Sequence, residues 1–279
     1  MKRVVPITVL AVVATSLFAG IAGANHAWGP YHWARTANPF TLKVGDNVTS
    51  IWDSHLATSC VNWAVTSGAC NNPLNPVRTN LVAGTVSTVK RCSAKTGTIQ
   101  VCNSTYGNTG WLGIASISIT GGEHITAGTV KVNDTYFNTP TYNTPAWRQM
   151  VMAQEVGHCF GLAHQDENFN NADLLDACGR GSCMDYSNDP TNQGTPNQHD
   201  YDQLVTIYSH LDATTTIGSD LPVARGRSGF DADDEDQGVD PENPSTWGRA
   251  VGFLNGRANI FEKDLGNGRS VITHVFWIE

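Results

Sequence analysis

Charge is scarce in this chain: only 15% of its 279 residues are charged, and 25 acidic side chains outnumber 17 basic ones for a formal net charge of −8. The absence of a basic stripe excludes the counterion-releasing surface that a nucleic-acid partner requires. Long apolar runs are missing beyond the N-terminus, so no later stretch spans a bilayer. A Gly-x-Ser-x-Gly elbow is also missing, which argues against a serine hydrolase of the α/β type. Glycine, asparagine and threonine are abundant, as suits a loop-rich extracellular protein. The length allows one large domain with an appendage or two small domains, enough to bury an ordinary core.

The first residues read as an export signal. Lys2 and Arg3 give a positive start, an apolar stretch follows, and Ala22-Gly23-Ala24 has the small-x-small cleavage pattern. A membrane anchor is the alternative, but the uninterrupted apolar run over residues 9–14 is short for one. The expectation is a signal peptide over residues 1–24, a mature secreted chain from near Asn25, and no membrane span after cleavage. Seven cysteines then read as disulfides with one left over. Close spacing suggests Cys60–Cys70, Cys92–Cys102 and Cys178–Cys183, although spacing alone leaves the connectivity open. Cys159 is the odd one, expected as a buried thiol rather than a ligand or nucleophile. Asn47, Asn103 and Asn133 each begin an Asn-x-Thr triplet that reads as a glycosylation acceptor.

Alternation over residues 40–44 predicts a strand, Gly45-Asp46-Asn47 a turn, and residues 48–52 a continuation in sheet. A helix is expected over residues 54–66 with Ser54 as its cap and Leu56, Cys60, Trp63 and Ala64 inward. Further strands are expected over residues 77–83, 98–101, 111–119 and 124–133. Thr144 and Pro145 announce a helix. Trp147, Val151, Gln154 and His158 share its stripe, with Gln154 and His158 about 40° apart. Glu155 lies beside them, Gly161 is a natural helix stop, and His164 follows three residues later. Such a cluster suits a tetrahedral metal with a carboxylate beside it.

Residues 154–164 resemble the zinc signature H-E-x-x-H-x-x-G-x-x-H of the metzincin metallopeptidases. Glu155, His158, Gly161 and His164 match; Gln154 stands where the first histidine ligand would be. The resemblance is to the matrixin branch and covers roughly residues 31–211. It implies an α+β catalytic domain over residues 25–212: a twisted mixed sheet, an active-site helix, a Met-turn and a closing helix. Cys183-Met184-Asp185-Tyr186 resembles the Met-turn, with Met184 as its methionine. Tyr186 stands where, in astacins and serralysins, a tyrosine binds the metal or hydrogen-bonds the reacting carbonyl; packing is its plain alternative. Residues 124–133 take the place of the strand bordering the substrate cleft, with an ordinary edge strand as the alternative. Residues 196–208 resemble the closing helix.

Beyond residue 212 the resemblance stops. Residues 213–246 read as an acidic linker, its run at residues 231–236 solvated rather than calcium-binding, since an EF-hand's glycine and distal glutamate are missing. Residues 247–279 read as a small β-meander, with Asn255-Gly256 a hairpin turn.

The resemblance implies a secreted zinc endopeptidase acting on peptide or protein substrates. Zinc would be bound by His158, His164 and, as third ligand, Gln154, whose amide oxygen is an uncommon zinc donor. Asp166, Tyr186 and His199 are the neighbours able to substitute for it. Glu155 would be the general base. The alternative is a metal-free scaffold serving as an extracellular binding module.

Overall fold

The computed structural model describes residues 26–218 and 239–278. The expected signal peptide and acidic run lie outside the described residues. The fold is α+β, a nine-stranded mixed sheet with few helices. In chain order the strands are β1 His32–Trp33, β2 Phe40–Asn47, β3 Val77–Ala83, β4 Thr98–Ser104, β5 Trp111–Thr120 and β6 His124–Asn133. The C-terminal strands are β7 Arg249–Leu254, β8 Arg257–Gly266 and β9 Arg269–Trp277. The helices are α1 Ser50–Trp63, α2 Asp134–Phe137, α3 Pro145–His158 and α4 Gln198–Ile207.

Hydrogen bonding orders the sheet β3-β2-β4-β6-β5-β9-β8-β7, with β1 paired to β6. The pairings β2–β3, β2–β4 and β4–β6 are parallel, whereas β5 runs antiparallel to both β6 and β9. The C-terminal strands are therefore continuous with the main sheet. Their hairpins turn through Asn255-Gly256 and Asn267-Gly268, all four residues at positive φ, the conformation that a two-residue I′ turn requires.

Three expectations of position change. β6 is an interior strand with both edges paired, so it offers no free edge to an incoming peptide. The first helix begins at Ser50, a turn before the expected Ser54 cap, and residues 50–52 are helical rather than extended. A distant contact fixes that start: Thr49 N donates to Asn103 Oδ1 at 2.7 Å, and Asn103 Nδ2 donates to Thr49 Oγ1 at 3.0 Å. β2 likewise runs through the expected turn to Asn47.

Most of the core lies where α1 and α3 cover one face of the sheet, with Trp52, Leu56, Trp63, Val151, Val156, Ile117 and Ile272 among its members. A smaller cluster holds Tyr106, Trp111, Ile114, Trp247, Phe261 and Val275. Alternation along β5 and β9 divides their side chains between the two clusters.

The disulfides are Cys70–Cys178 and Cys92–Cys102. Cys60 and Cys183 are free and buried, so the expected Cys60–Cys70 and Cys178–Cys183 bridges are replaced by a cross-link between distant segments. Cys60 instead packs on the inner face of α1, in the core. Cys159 is a free buried thiol as expected. Two expected glycosylation acceptors are occupied in the interior. Asn103 bonds Thr49 and Asp134, and the Asn133 side chain caps α2.

Candidate metal centre

Helix α3 carries the site because its start and stop are chemically marked. Thr144 Oγ1 accepts from Trp147 N at 3.2 Å, and Pro145 occupies the first turn. Gly161, at φ +88°, turns the chain; a Cβ there would lie 2.2 Å from Tyr31 O, so only glycine fits. This turn returns His164 to the ring of His158, their centroids 4.9 Å apart.

A third histidine completes the group. His274 on β9 places its ring 4.1 Å from that of His158 and 4.5 Å from that of His164, centroid to centroid. One potential ligand atom from each of the three lies within 4.8 Å of the others. All three residues are buried. His158 Nε2, His164 Nε2 and His274 Nδ1 have no hydrogen-bond partner. The opposite nitrogens are engaged. His158 Nδ1 donates to Leu162 O at 2.8 Å, and His164 Nδ1 bonds Glu167 Oε1 at 3.0 Å. His274 Nε2 lies 3.4 Å from the Tyr186 hydroxyl. Partners of this kind fix tautomer and ring orientation in metal sites. Burial pushes the pKa of each histidine down, and mutual repulsion adds to this for His158 and His274. The neutral imidazoles that result are the form that binds metal. This group is able to hold a metal ion.

Gln154 is held differently. Its Nε2 donates to Cys183 O at 2.9 Å, tying α3 to the segment that bears Met184, while Oε1 is buried without a partner. Glu155 is fully buried with both carboxylate oxygens unbonded, and Oε2 lies 3.9 Å from His274 Nδ1. Desolvation raises its pKa well above the usual carboxylate range, a shift that a nearby cation reverses.

Met184 sits in a tight turn. Asp185 N donates to Ser182 O at 3.1 Å, and Met184 N to Ser182 Oγ at 2.8 Å. The Met184 sulfur packs against Gly157, one residue before His158, so closely that a Cβ there would lie 2.5 Å from it. Tyr186 is buried against His164, with ring centroids 4.3 Å apart. Asp166 and His199 are outside the three-histidine group. Asp166 accepts from Asn168 and Asn171 in its own loop, and His199 stacks on His26.

No family model matches the chain, and no curated protein matches it. The metzincin resemblance thus rests on the residues just described.

His274 is the residue that sequence reasoning missed, because it stands outside the signature. A signal was present. Ile272, His274 and Phe276 share one face of β9, and Ile272 and Phe276 belong to the main core. A lone histidine between two core residues, in phase with them, is a buried polar group in need of a partner.

Proposed function

We propose that this protein is a secreted, zinc-dependent endopeptidase whose metal is held by His158, His164 and His274. The observation that carries this reading is the convergence of three buried, unpartnered imidazole nitrogens beside a buried, unpartnered carboxylate. Burying four such groups without partners is costly, and a cation between them offsets that cost. Three nitrogen ligands with an adjacent carboxylate form a donor set typical of catalytic zinc.

Zinc, when bound, acts as a Lewis acid and lowers the pKa of a coordinated water. Glu155, the carboxylate beside the group, would be the general base toward an attacking water and would return the proton to the leaving amine. Gly113 on β5 leaves the space this carboxylate occupies. The Tyr186 hydroxyl lies 3.4 Å from His274 Nε2, and the Tyr186 ring packs against His164. The two disulfides fit an oxidising, extracellular setting.

A second reading, a metzincin-like scaffold that binds without cleaving, draws on the cover over the site. Trp28 stands edge-on to His158 and His274, at 5.4 and 6.3 Å between ring centroids, and β9 pairs with β5 beside Glu155. Glu155→Gln separates the two readings. Peptide-library cleavage lost in this variant, with zinc content unchanged, supports the endopeptidase. Cleavage that persists undiminished overturns Glu155 as the base, and a wild-type chain with zinc but no cleavage favours the scaffold.

A further inference from the structure

We infer that this chain holds a second metal ion, at a site formed by His32, His124, His210 and Asp212. These residues come from three distant segments: the short strand β1, the first residue of β6, and the stretch after α4. Ligand-type atoms of His32, His210 and Asp212 all lie within 4.8 Å of one another, and His124 joins them through Asp212. Asp212 Oδ1 lies 3.4 Å from His32 Nε2, 3.4 Å from His124 Nε2 and 3.8 Å from His210 Nε2. His32 Nε2 and His210 Nε2 are 3.1 Å apart. A tetrahedral zinc with bonds of about 2.0–2.1 Å separates its donors by roughly 3.3 Å. The three spacings among His32, His210 and Asp212 bracket that value, and His124 approaches the carboxylate at a similar distance.

The surrounding bonds aim these atoms inward. His32 Nδ1 lies 2.8 Å from Pro30 O. A carbonyl only accepts, so Nδ1 donates to it and Nε2 is the nitrogen turned toward the cluster. Asp212 Oδ2 accepts from Arg35 N at 3.0 Å and Arg35 Nη1 at 2.8 Å. The carboxylate is thereby fixed with Oδ1 turned to the histidines. His32 is buried, whereas the side chains of His124 and His210 are 28% and 51% exposed, which leaves an approach from solvent.

Three imidazoles and one carboxylate match a borderline divalent cation, zinc before calcium or magnesium, which prefer all-oxygen sites. The ion would clamp the N-terminal segment and the segment after α4 onto the start of β6. It is separate from the His158 group in residues and in exposure, and it stands whether or not that group is catalytic.

Elemental analysis of the purified full chain, stripped with a chelator and dialysed against micromolar zinc, tests this. His210 and His124 are partly exposed, so His210→Gln and His124→Gln should fold, with circular dichroism as the check. The expected result is a zinc that these variants lose, or bind at least about 10-fold more weakly, and that His158→Ala retains. A wild-type content of two zincs that falls to one in His210→Gln and to one in His158→Ala supports both sites. One zinc lost in His210→Gln but kept in His158→Ala supports this site and overturns the zinc reading of the other. Zinc content and affinity unchanged in folded His210→Gln and His124→Gln overturns the inference, and the cluster is then a proton-sharing imidazole network.

Discussion

Gly113 and Glu155 fit together so closely that neither leaves room for change. A Cβ added to Gly113 would stand 2.5 Å from Glu155 Oε1 and 2.8 Å from its Cγ. The strand that borders the histidine group therefore makes room for the carboxylate by omitting a side chain. Gly113→Ala should displace Glu155, reduce peptide cleavage and cost about 1–3 kcal/mol by overpacking. Urea unfolding and cleavage rates check this, and a fully active variant of wild-type stability would show that the carboxylate has slack.

Histidine 274 and glutamine 154 divide what the signature assigns to one residue. His274 completes the histidine group, and Gln154 ties α3 to Cys183 O. His274→Ala should lose zinc from this centre as fully as His158→Ala does. Gln154→Ala should retain zinc but lose about 2–4 kcal/mol of stability from the cavity and the unpaired carbonyl. The reverse pattern in zinc content would restore the glutamine as third ligand.

The bridge between Cys70 and Cys178 spans 108 residues. Replacing both cysteines with serine should cost about 2–5 kcal/mol, on the scale for native disulfides in secreted domains. Thermal unfolding reads the loss. Non-reducing peptide mapping should recover the Cys70–Cys178 and Cys92–Cys102 pairs, and a Cys60–Cys70 peptide would contradict the fold around α1.

Asp185 carries a buried carboxyl whose pKa is pushed up to about 7, by desolvation first and then by the charge of Asp166, with Asp173 and Asp200 adding to it. An acid with a raised folded pKa binds its proton more tightly in the native state than in the unfolded chain. Stability contributed here is complete below about pH 4 and is lost as pH rises toward about 7. Asp185→Asn should flatten that part of the stability profile and gain most relative to wild type above neutrality. Denaturation midpoints at pH 5 and pH 8 test it, and parallel wild-type and variant profiles would contradict it.

Much of the scaffold was legible from local chemistry. The Thr144-Pro145 start of α3, the Gly161 stop, strands β3 and β6, and the Asn255-Gly256 hairpin all follow from short-range rules that the tertiary structure respects. Errors arose where distant parts of the chain decide. Asn103 sets the first residue of α1. The cysteine pairing follows spatial proximity rather than sequence spacing, and β6 became interior through the partners on its two sides. Within the candidate site, His158, His164 and Glu155 were legible because one helix and one turn bring them together. His274 was not, because it arrives through the pairing of β9 with β5, a register no local pattern encodes.

That pairing also has a consequence in time. During synthesis, His158, Glu155 and His164 leave the ribosome long before β9 exists, so the emerging chain presents only two of the three imidazoles. Non-local strand pairing is also slow to form. The three-histidine group is therefore absent from the nascent chain and arises only after the last strand has docked. Metal uptake there reports completed folding, and a chain that stops short of residue 274 would carry the recognisable signature without the centre.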